Sequence, residues 1–201
     1  TYKHQSWQVW SDFNLMAACA ISNRFDQARF EEREKMYMDR IARYDEKERQ
    51  VFPELFAIVV EALDDNPEQD FLGNLFMQLE LGNHWKGQFF TPYNLCQVMA
   101  EMQTGKLQEM VAQKGYIGVN DPACGAGATL IAFAHAAMAK GINYQQQVLF
   151  VAQDIDQTAA LMCYIQLSLL GCPGYVVIGD TLSQPVPKDP SSIWYTPLYF
   201  S

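Results

Sequence analysis

The chain of 201 residues is long enough for one α/β domain with a helical extension, and 49% of its residues are apolar. No apolar run reaches the about 20 residues of a membrane span, and no signal peptide is visible. The five cysteines form no Cys-x-x-Cys pair and are odd in number, which argues against a metal site or a disulfide framework. We therefore expect a cytoplasmic protein without membrane contact and without a bound metal.

The net charge of −9 is unevenly distributed along the chain. Residues 1–50 contain nine basic and nine acidic side chains, whereas residues 51–201 contain five basic and fourteen acidic ones. Proteins that bind nucleic acid usually carry a basic surface, because phosphate contacts supply most of the affinity. If DNA is the substrate, we expect another subunit to hold it.

A helical N-terminal region is predicted over residues 1–81, and a separate domain over residues 82–201. The predicted helices of the first region are 9–21, 24–50, 53–63 and 70–81. The second of them is densely charged, with apolar residues three to four positions apart, which is typical of an amphipathic helix. Its charged face suits either solvent or a partner helix, so we expect a protein partner at these helices.

Short apolar strands alternate with helices in the second half of the chain. Thr91 and Pro92 are predicted as the N-cap and first residue of a helix that ends near residue 102. The strands that follow are predicted at 116–120, 148–152, 175–178 and 193–195, and the helices between them at 129–140 and 156–170. This alternation predicts an α/β fold with a Rossmann-like, doubly wound parallel sheet, truncated relative to a complete one.

Three successive strands end in an acidic residue, at Asp121, Asp154 and Asp180. In a parallel sheet, ligands bind outside these carboxyl ends. The first strand runs into a turn with Gly125 and Gly127, which allow a ligand to approach the backbone closely. The turn has no third glycine and begins with an aspartate, which would repel the pyrophosphate of a dinucleotide. An aspartate there suits the ammonium group of S-adenosylmethionine (SAM) instead, and those after the next two strands suit ribose hydroxyls and an adenine amine.

Four motifs, taken in their order, resemble a known family. They are residues 87–92 (GQFFTP), 120–127 (NDPACGAG), 153–156 (QDID) and 179–182 (GDTL). This order is similar to that in the modification subunit of type I restriction-modification systems and in related adenine-N6 DNA methyltransferases. The resemblance covers roughly residues 70–182. It implies a Rossmann-like methyltransferase fold, SAM as cofactor, and DNA as substrate, bound through a separate specificity subunit.

The resemblance also implies roles for the residues at matching positions. Those expected to close over the methionine portion of SAM are Phe90, Thr91 and Pro92. Those expected to line its amino-acid end are Asp121, Pro122, Ala123, Gly125 and Gly127. Those expected at the nucleoside are Asp154 for the ribose, Ile155 for the adenine ring, Asp180 for the adenine amine, and Leu182 nearby.

The family carries one more motif, Asn-Pro-Pro-Phe or Asn-Pro-Pro-Tyr, which holds a target adenine flipped out of the duplex. At the expected place this chain has Thr196, Pro197, Leu198 and Tyr199. The degenerate motif leaves Thr196, Pro197 and Tyr199 as the candidate catalytic residues. A threonine hydroxyl is a shorter acceptor than a carboxamide, and a misplacement of about 1 Å can cost on the order of a hundredfold in rate.

Two interpretations follow from these motifs. The first is an adenine-N6 DNA methyltransferase that transfers the methyl group of SAM to a flipped adenine. The second is a SAM-binding module with impaired catalysis that acts through a protein partner, in which case restoring Asn at Thr196 and Pro at Leu198 is expected to raise activity. A nucleotide-dependent oxidoreductase is a third alternative, which the sequence of the glycine turn disfavours.

Overall fold

A computed structural model describes residues 3–79 and 90–201 of the chain. Its first half is helical, as the sequence predicts. The four helices are α1 (Ser6–Phe25), α2 (Phe30–Ile41), α3 (Glu46–Asp65) and α4 (Phe71–Gln78). The predicted boundary between residues 81 and 82 lies outside the described residues.

The prediction of a single amphipathic helix over residues 24–50 is wrong, because α2 ends at Ile41 and a separate helix, α3, begins at Glu46. Asp45 provides the reason for the break. Its carboxylate accepts hydrogen bonds from the backbone N–H groups of Lys47 and Glu48, and the Glu48 carboxylate accepts the Asp45 N–H in return. This capping box starts a new helix at Glu46, which then continues through Pro53, its eighth residue.

The second half contains the helices and strands of the α/β unit. In chain order they are α5 (Tyr93–Gln103), α6 (Leu107–Lys114), β1 (Ile117–Asp121), α7 (Ala128–Ala139), α8 (Tyr144–Gln147), β2 (Val148–Asp154), α9 (Gln157–Leu169), β3 (Gly174–Ile178) and β4 (Ile193–Tyr195). The predicted strands and helices fall within a few residues of these bounds. Pro92 occupies the N-cap position of α5, so this helix begins one residue later than predicted.

The four strands form one sheet in the order β1-β2-β3-β4. The first three strands are parallel, and β4 is antiparallel to β3. The α/β class with a Rossmann-like sheet is thereby confirmed, in a truncated form. The exception to an all-parallel sheet is β4, whose direction the sequence pattern did not predict.

The helices α7 and α9 lie on the same face of the sheet. α7 connects β1 to β2, and α9 connects β2 to β3, so both connections step across the sheet in the same direction. Because connections between parallel strands are right-handed, both helices lie on the same side of the sheet. The side chains of Phe150 and Val176 point to this face and are fully buried. The helices of the N-terminal half share one hydrophobic core with the α/β unit, mainly through the packing of α1 and α4 against α9. None of the helices formed by the described residues is long and apolar enough to cross a membrane.

Candidate functional site

The acidic residues predicted for the site lie along one edge of the sheet. Asp121 is the last residue of β1, and Asp154 is the last residue of β2. Asp180 follows β3 two residues after its end. Because these strands are parallel, their carboxyl ends meet at this edge, as the sequence analysis expected.

The glycine turn between β1 and α7 is tied to the end of β2. The backbone N–H of Gly125 donates a hydrogen bond of 2.9 Å to Oδ2 of Asp154. The N–H of Cys124 donates to the carbonyl of Gln153 at 3.0 Å. Two contacts therefore fix the turn against the neighbouring strand, with the Asp154 carboxylate directly beside it.

Both glycines of the turn adopt a positive φ, which disfavours any other residue. The φ angles are 54° at Gly125 and 98° at Gly127. A Cβ atom at Gly125 would lie 2.9 Å from the ring of Phe90, and one at Gly127 would lie 2.9 Å from Sγ of Cys163. The turn thus needs glycine both for its conformation and for the close packing of its neighbours.

Asp154 keeps capacity for a ligand despite its internal hydrogen bonds. Oδ2 accepts the Gly125 N–H, and Oδ1 accepts the N–H of Asp156 at 2.9 Å. A carboxylate oxygen has two lone pairs, so each oxygen can accept one further hydrogen bond. The half-buried carboxylate can therefore take two donors, such as the hydroxyls of a ribose.

Asp121 borders a cleft between β1, α5 and α7. Its Oδ1 accepts the N–H of Ala123 at 3.1 Å, and its Oδ2 accepts the hydroxyl of Thr129. The cleft has a volume of 340 Å³ and is lined by Thr91, Asn120, Asp121, Ala123 and Phe133 among others. Within residues 3–79 and 90–201, no group of three or more metal-ligating side chains comes together.

The loop after β3 closes the other side of the same edge. The hydroxyl of Thr181 donates to the carbonyl of Pro122 at 2.6 Å, which joins this loop to the glycine turn. Asp180 accepts the N–H of Leu182 at 3.0 Å. A hydrogen bond from the Ser183 side chain, followed by that N–H, holds the pKa of Asp180 below its ordinary value. Asp180 is therefore a carboxylate at neutral pH, as an acceptor for an amine must be.

Two apolar side chains stand exposed at this edge. Ile155 is 71% exposed directly after Asp154, and Leu182 is 95% exposed in the loop after β3. Exposed apolar side chains of this size beside polar acceptors are common where a flat ring binds. Both lie where the resemblance expects contacts with adenine.

The motif before α5 reaches the site only in part. The Phe90 ring packs on Gly125 and, at a centroid distance of 5.4 Å, on Phe76. Thr91 lines the cleft beside Asp121, whereas Pro92 is an exposed N-cap residue. The preceding motif residues, 87–89, lie outside the described residues.

The candidate catalytic motif lies at the end of the sheet opposite to the aspartates. Because β4 is antiparallel to β3, the residues after β4 lie at the start of β3, about 13 Å from the carboxyl end of that strand. The Thr196 side chain is fully buried there. Its hydroxyl donates to the carbonyl of Cys172 at 2.7 Å and accepts the N–H of Gly174 at 2.9 Å. Thr196 is thus a structural residue.

Pro197 and Tyr199 follow Thr196 to the same end of the sheet. Tyr199 packs against the ring of Tyr195, with a centroid distance of 4.6 Å, rather than facing the glycine turn. Because β4 ends at the start of β3, the structure does not bring these two residues together with Asp121 and Asp154, so their catalytic role stays a prediction.

Two buried polar residues behind the glycine turn were not predicted. Gln166 on α9 donates to the carbonyl of Ala126 in the turn and to the carboxylate of Asp70, the N-cap of α4. A glutamine within the apolar run from Ala159 to Leu167 of α9 was the signal that could have identified it, because a buried amide requires partners.

The Rossmann-like sheet, with acidic residues at successive strand ends and a glycine turn between β1 and α7, is consistent with a methyltransferase fold. A family model described as N-6 DNA Methylase matches residues 73–195, which is more than half of the chain. The chain therefore belongs to the N-6 DNA methylase family, whose function is of the DNA methyltransferase type. No curated protein and no solved structure matched the chain.

Proposed function

We propose that this chain is the SAM-binding part of an adenine-N6 DNA methyltransferase similar to the modification subunit of type I restriction-modification systems. The observation that carries the proposal is the hydrogen bond from the Gly125 N–H to Asp154. It brings a turn with two positive-φ glycines against a carboxylate at the ligand-binding edge of a sheet. Membership of the N-6 DNA methylase family supports the same function.

Each side chain at this edge would have a separate task in binding SAM. Asp121 lies on the cleft side of the turn and would accept the ammonium group of the methionine portion. Asp154 would accept the ribose hydroxyls with the lone pairs that its backbone contacts leave free. Asp180 would accept the adenine amine, with Ile155 and Leu182 against the ring.

Bound SAM would supply an activated methyl group, and the residues of this chain would position it. A methyl transfer needs the acceptor nitrogen in line with the sulfur–carbon bond, so most of the rate comes from orientation. Fixing the cofactor at both ends, by Asp121 and by Asp154, would hold that bond in one direction.

The charge distribution favours a partner for DNA binding. Residues 51–201 contain five basic against fourteen acidic side chains, too few for a phosphate-binding surface. A separate specificity subunit would hold the duplex. The charged outer face of α2 is the surface that we propose for a protein partner.

Titration calorimetry with SAM, and with NAD as a control ligand, tests the proposal. We expect saturable SAM binding that Asp154→Ala and Asp121→Ala each weaken by about tenfold or more, because each loses charged hydrogen-bond acceptors. Asp64→Ala, which removes an exposed carboxylate from α3, is the matched control and should bind as the wild type does. Unchanged affinity in both site variants, or NAD binding without SAM binding, would overturn the proposal.

A second candidate function is a SAM-binding module that does not turn over by itself. The position of Thr196 favours it, because the residue that stands in place of the motif's asparagine is buried at the far end of the sheet. A methyl-transfer assay with unmethylated DNA distinguishes the two functions. SAM binding with no transfer by the chain, alone or with added specificity subunit, supports the module, and measurable transfer excludes it.

A further inference from the structure

Gln166 lies in the middle of α9, with its side chain completely buried. Its Nε2 donates two hydrogen bonds of 2.8 Å, one to Oδ1 of Asp70 and one to the carbonyl of Ala126. Its Oε1 accepts the backbone N–H of Leu72 at 3.1 Å. Both N–H groups of the amide and its oxygen are thus hydrogen-bonded to protein, so the side chain is held in one orientation.

The N-terminus of α4 is shaped to receive this amide. Asp70 is the N-cap and accepts the N–H of Gly73 at 2.9 Å with the same oxygen that accepts from Gln166. A Cβ atom at Gly73 would collide with the Asp70 carboxylate. The glycine therefore leaves the space in which the carboxylate reaches both partners.

The carbonyl that Gln166 holds belongs to the residue between the two positive-φ glycines. Ala126 is buried, and on its far side the N–H of Gly127 donates to the carbonyl of Cys124 at 2.8 Å. The peptide group between Ala126 and Gly127 is thus hydrogen-bonded at its oxygen and at its nitrogen. Without Gln166 the buried oxygen would lack a donor, and rotation of this peptide would change ψ of Ala126 and the positive φ of Gly127.

We propose that Asp70 and Gln166 are positioning residues that fix the glycine turn in the form that binds the amino-acid end of SAM. They touch no substrate themselves and act through the Ala126 carbonyl. This inference rests on the proposed function, because it assumes that the turn receives SAM. It assigns α4, a helix more than 40 residues before the turn in sequence, a role in cofactor affinity.

The affinities for two ligands distinguish a positioning role of Gln166 from a general effect on protein stability. S-adenosylhomocysteine contains the amino-acid end, whereas 5′-methylthioadenosine has the same nucleoside and lacks it. Gln166→Met keeps the length of the side chain and removes its hydrogen bonds. We expect this variant to bind S-adenosylhomocysteine about tenfold more weakly and methylthioadenosine within about twofold of the wild type.

Gly73→Ala provides a second variant, should Gln166→Met fail to fold. Alanine favours a helix more than glycine does, so an effect on helix propensity alone would stabilise the protein. Displacement of Asp70 would instead weaken S-adenosylhomocysteine binding selectively, as in Gln166→Met. Val59→Ala, which removes buried side-chain volume from α3 and no hydrogen bond of the turn, is the control for a loss of stability without a change in the turn.

The test is the ratio of the affinity for S-adenosylhomocysteine to that for methylthioadenosine in each variant. A selective loss in Gln166→Met and Gly73→Ala, with an unchanged ratio in Val59→Ala, supports it. Equal losses for both ligands, or none, overturn it and leave the proposed function standing. A wild-type chain that binds neither ligand overturns the proposed function itself.

Discussion

The guanidinium carbon of Arg33 lies 3.3 Å from the centroid of the Trp194 ring. Arg33 belongs to α2 and Trp194 to the antiparallel strand β4, and both side chains are fully buried. The guanidinium also donates to the carbonyls of Ser191 and Ile193, at 2.8 and 3.2 Å. Burial lowers the pKa of Arg33 from its ordinary value, but an arginine keeps its charge at neutral pH. A helix of the N-terminal half therefore holds the last strand of the sheet in place.

Arg33→Met is expected to lower the free energy of unfolding by about 3 kcal/mol, since two carbonyls lose a charged donor and the ring loses its cation. The stability of Arg33→Lys should lie between those of Arg33→Met and the wild type, because a lysine keeps the positive charge but cannot stack flat on the Trp194 ring. Urea unfolding measures both. Lys35→Met, on the exposed side of the same helix, is the control. A loss below about 0.5 kcal/mol in Arg33→Met would show that the contact does not hold β4.

Thr196→Asn is expected to destabilise the protein without raising methyl transfer. The asparagine side chain is larger than the buried site, and it cannot reproduce the short bonds of the hydroxyl to Cys172 and Gly174. We expect a loss of about 1–3 kcal/mol in thermal unfolding. The second interpretation from the sequence had suggested that Asn at Thr196 together with Pro at Leu198 would raise activity. A gain of activity in Thr196→Asn would contradict the position of β4.

Gly125→Ala is expected to weaken SAM binding by about tenfold and to cost about 1–2 kcal/mol of stability, because an alanine is strained at a φ of 54°. Its Cβ would also press on the Phe90 ring. Gly105→Ala is the matched control, since a Cβ there meets nothing within 4 Å. Calorimetry and thermal unfolding of the two variants provide the comparison. Equal SAM affinity and equal thermal stability of Gly125→Ala and Gly105→Ala would show that the turn tolerates a side chain.

Asp70→Asn tests the electrostatic cost of the buried N-cap. Desolvation raises the pKa of Asp70, although its hydrogen bonds from Gln166 and Gly73 act the other way. Because the pKa of Asp70 is higher in the folded than in the unfolded protein, its contribution to stability is fully present below the unfolded carboxyl pKa of about 3.9. This contribution is lost as the pH rises through the pKa of the folded state. We therefore expect Asp70→Asn to be more stable than the wild type at pH 7 and equal to it below about pH 4.

Unfolding curves from pH 3 to pH 8 measure this difference, with Asp64→Asn as a control for the loss of one exposed charge. An Asp70→Asn protein that is less stable than the wild type at every pH would contradict the prediction. It would show that the hydrogen bonds of the carboxylate outweigh its desolvation.

The parallel part of the fold was predictable because its signals are local. Strand, glycine turn and helix follow one another between Ile117 and Ala139, and each element has its own pattern. The acidic strand ends could be brought together from sequence because parallel strands share an edge. The turn itself followed from the spacing of its two glycines.

The remaining features depend on contacts between distant residues. Three residues of β4 carry no sign of their direction, and the Arg33 side chain that packs against this strand lies about 160 positions earlier. The position of Thr196 could not be read from the sequence for the same reason, because the pattern predicted a parallel sheet and β4 is antiparallel to β3. Asp70 could be recognised as a helix cap, but its link to Gln166 could not.

The order β1-β2-β3-β4 has a consequence for how the sheet assembles. Each strand pairs with the one that precedes it in the chain, so no strand must be inserted between two others that have already paired. The sheet can therefore grow from β1 outward, one crossover at a time, with short loops to close at each step. Beyond its pairing with β3, the last strand also depends on a contact with a distant part of the chain, because Arg33 packs on Trp194 and donates to the carbonyl of Ser191.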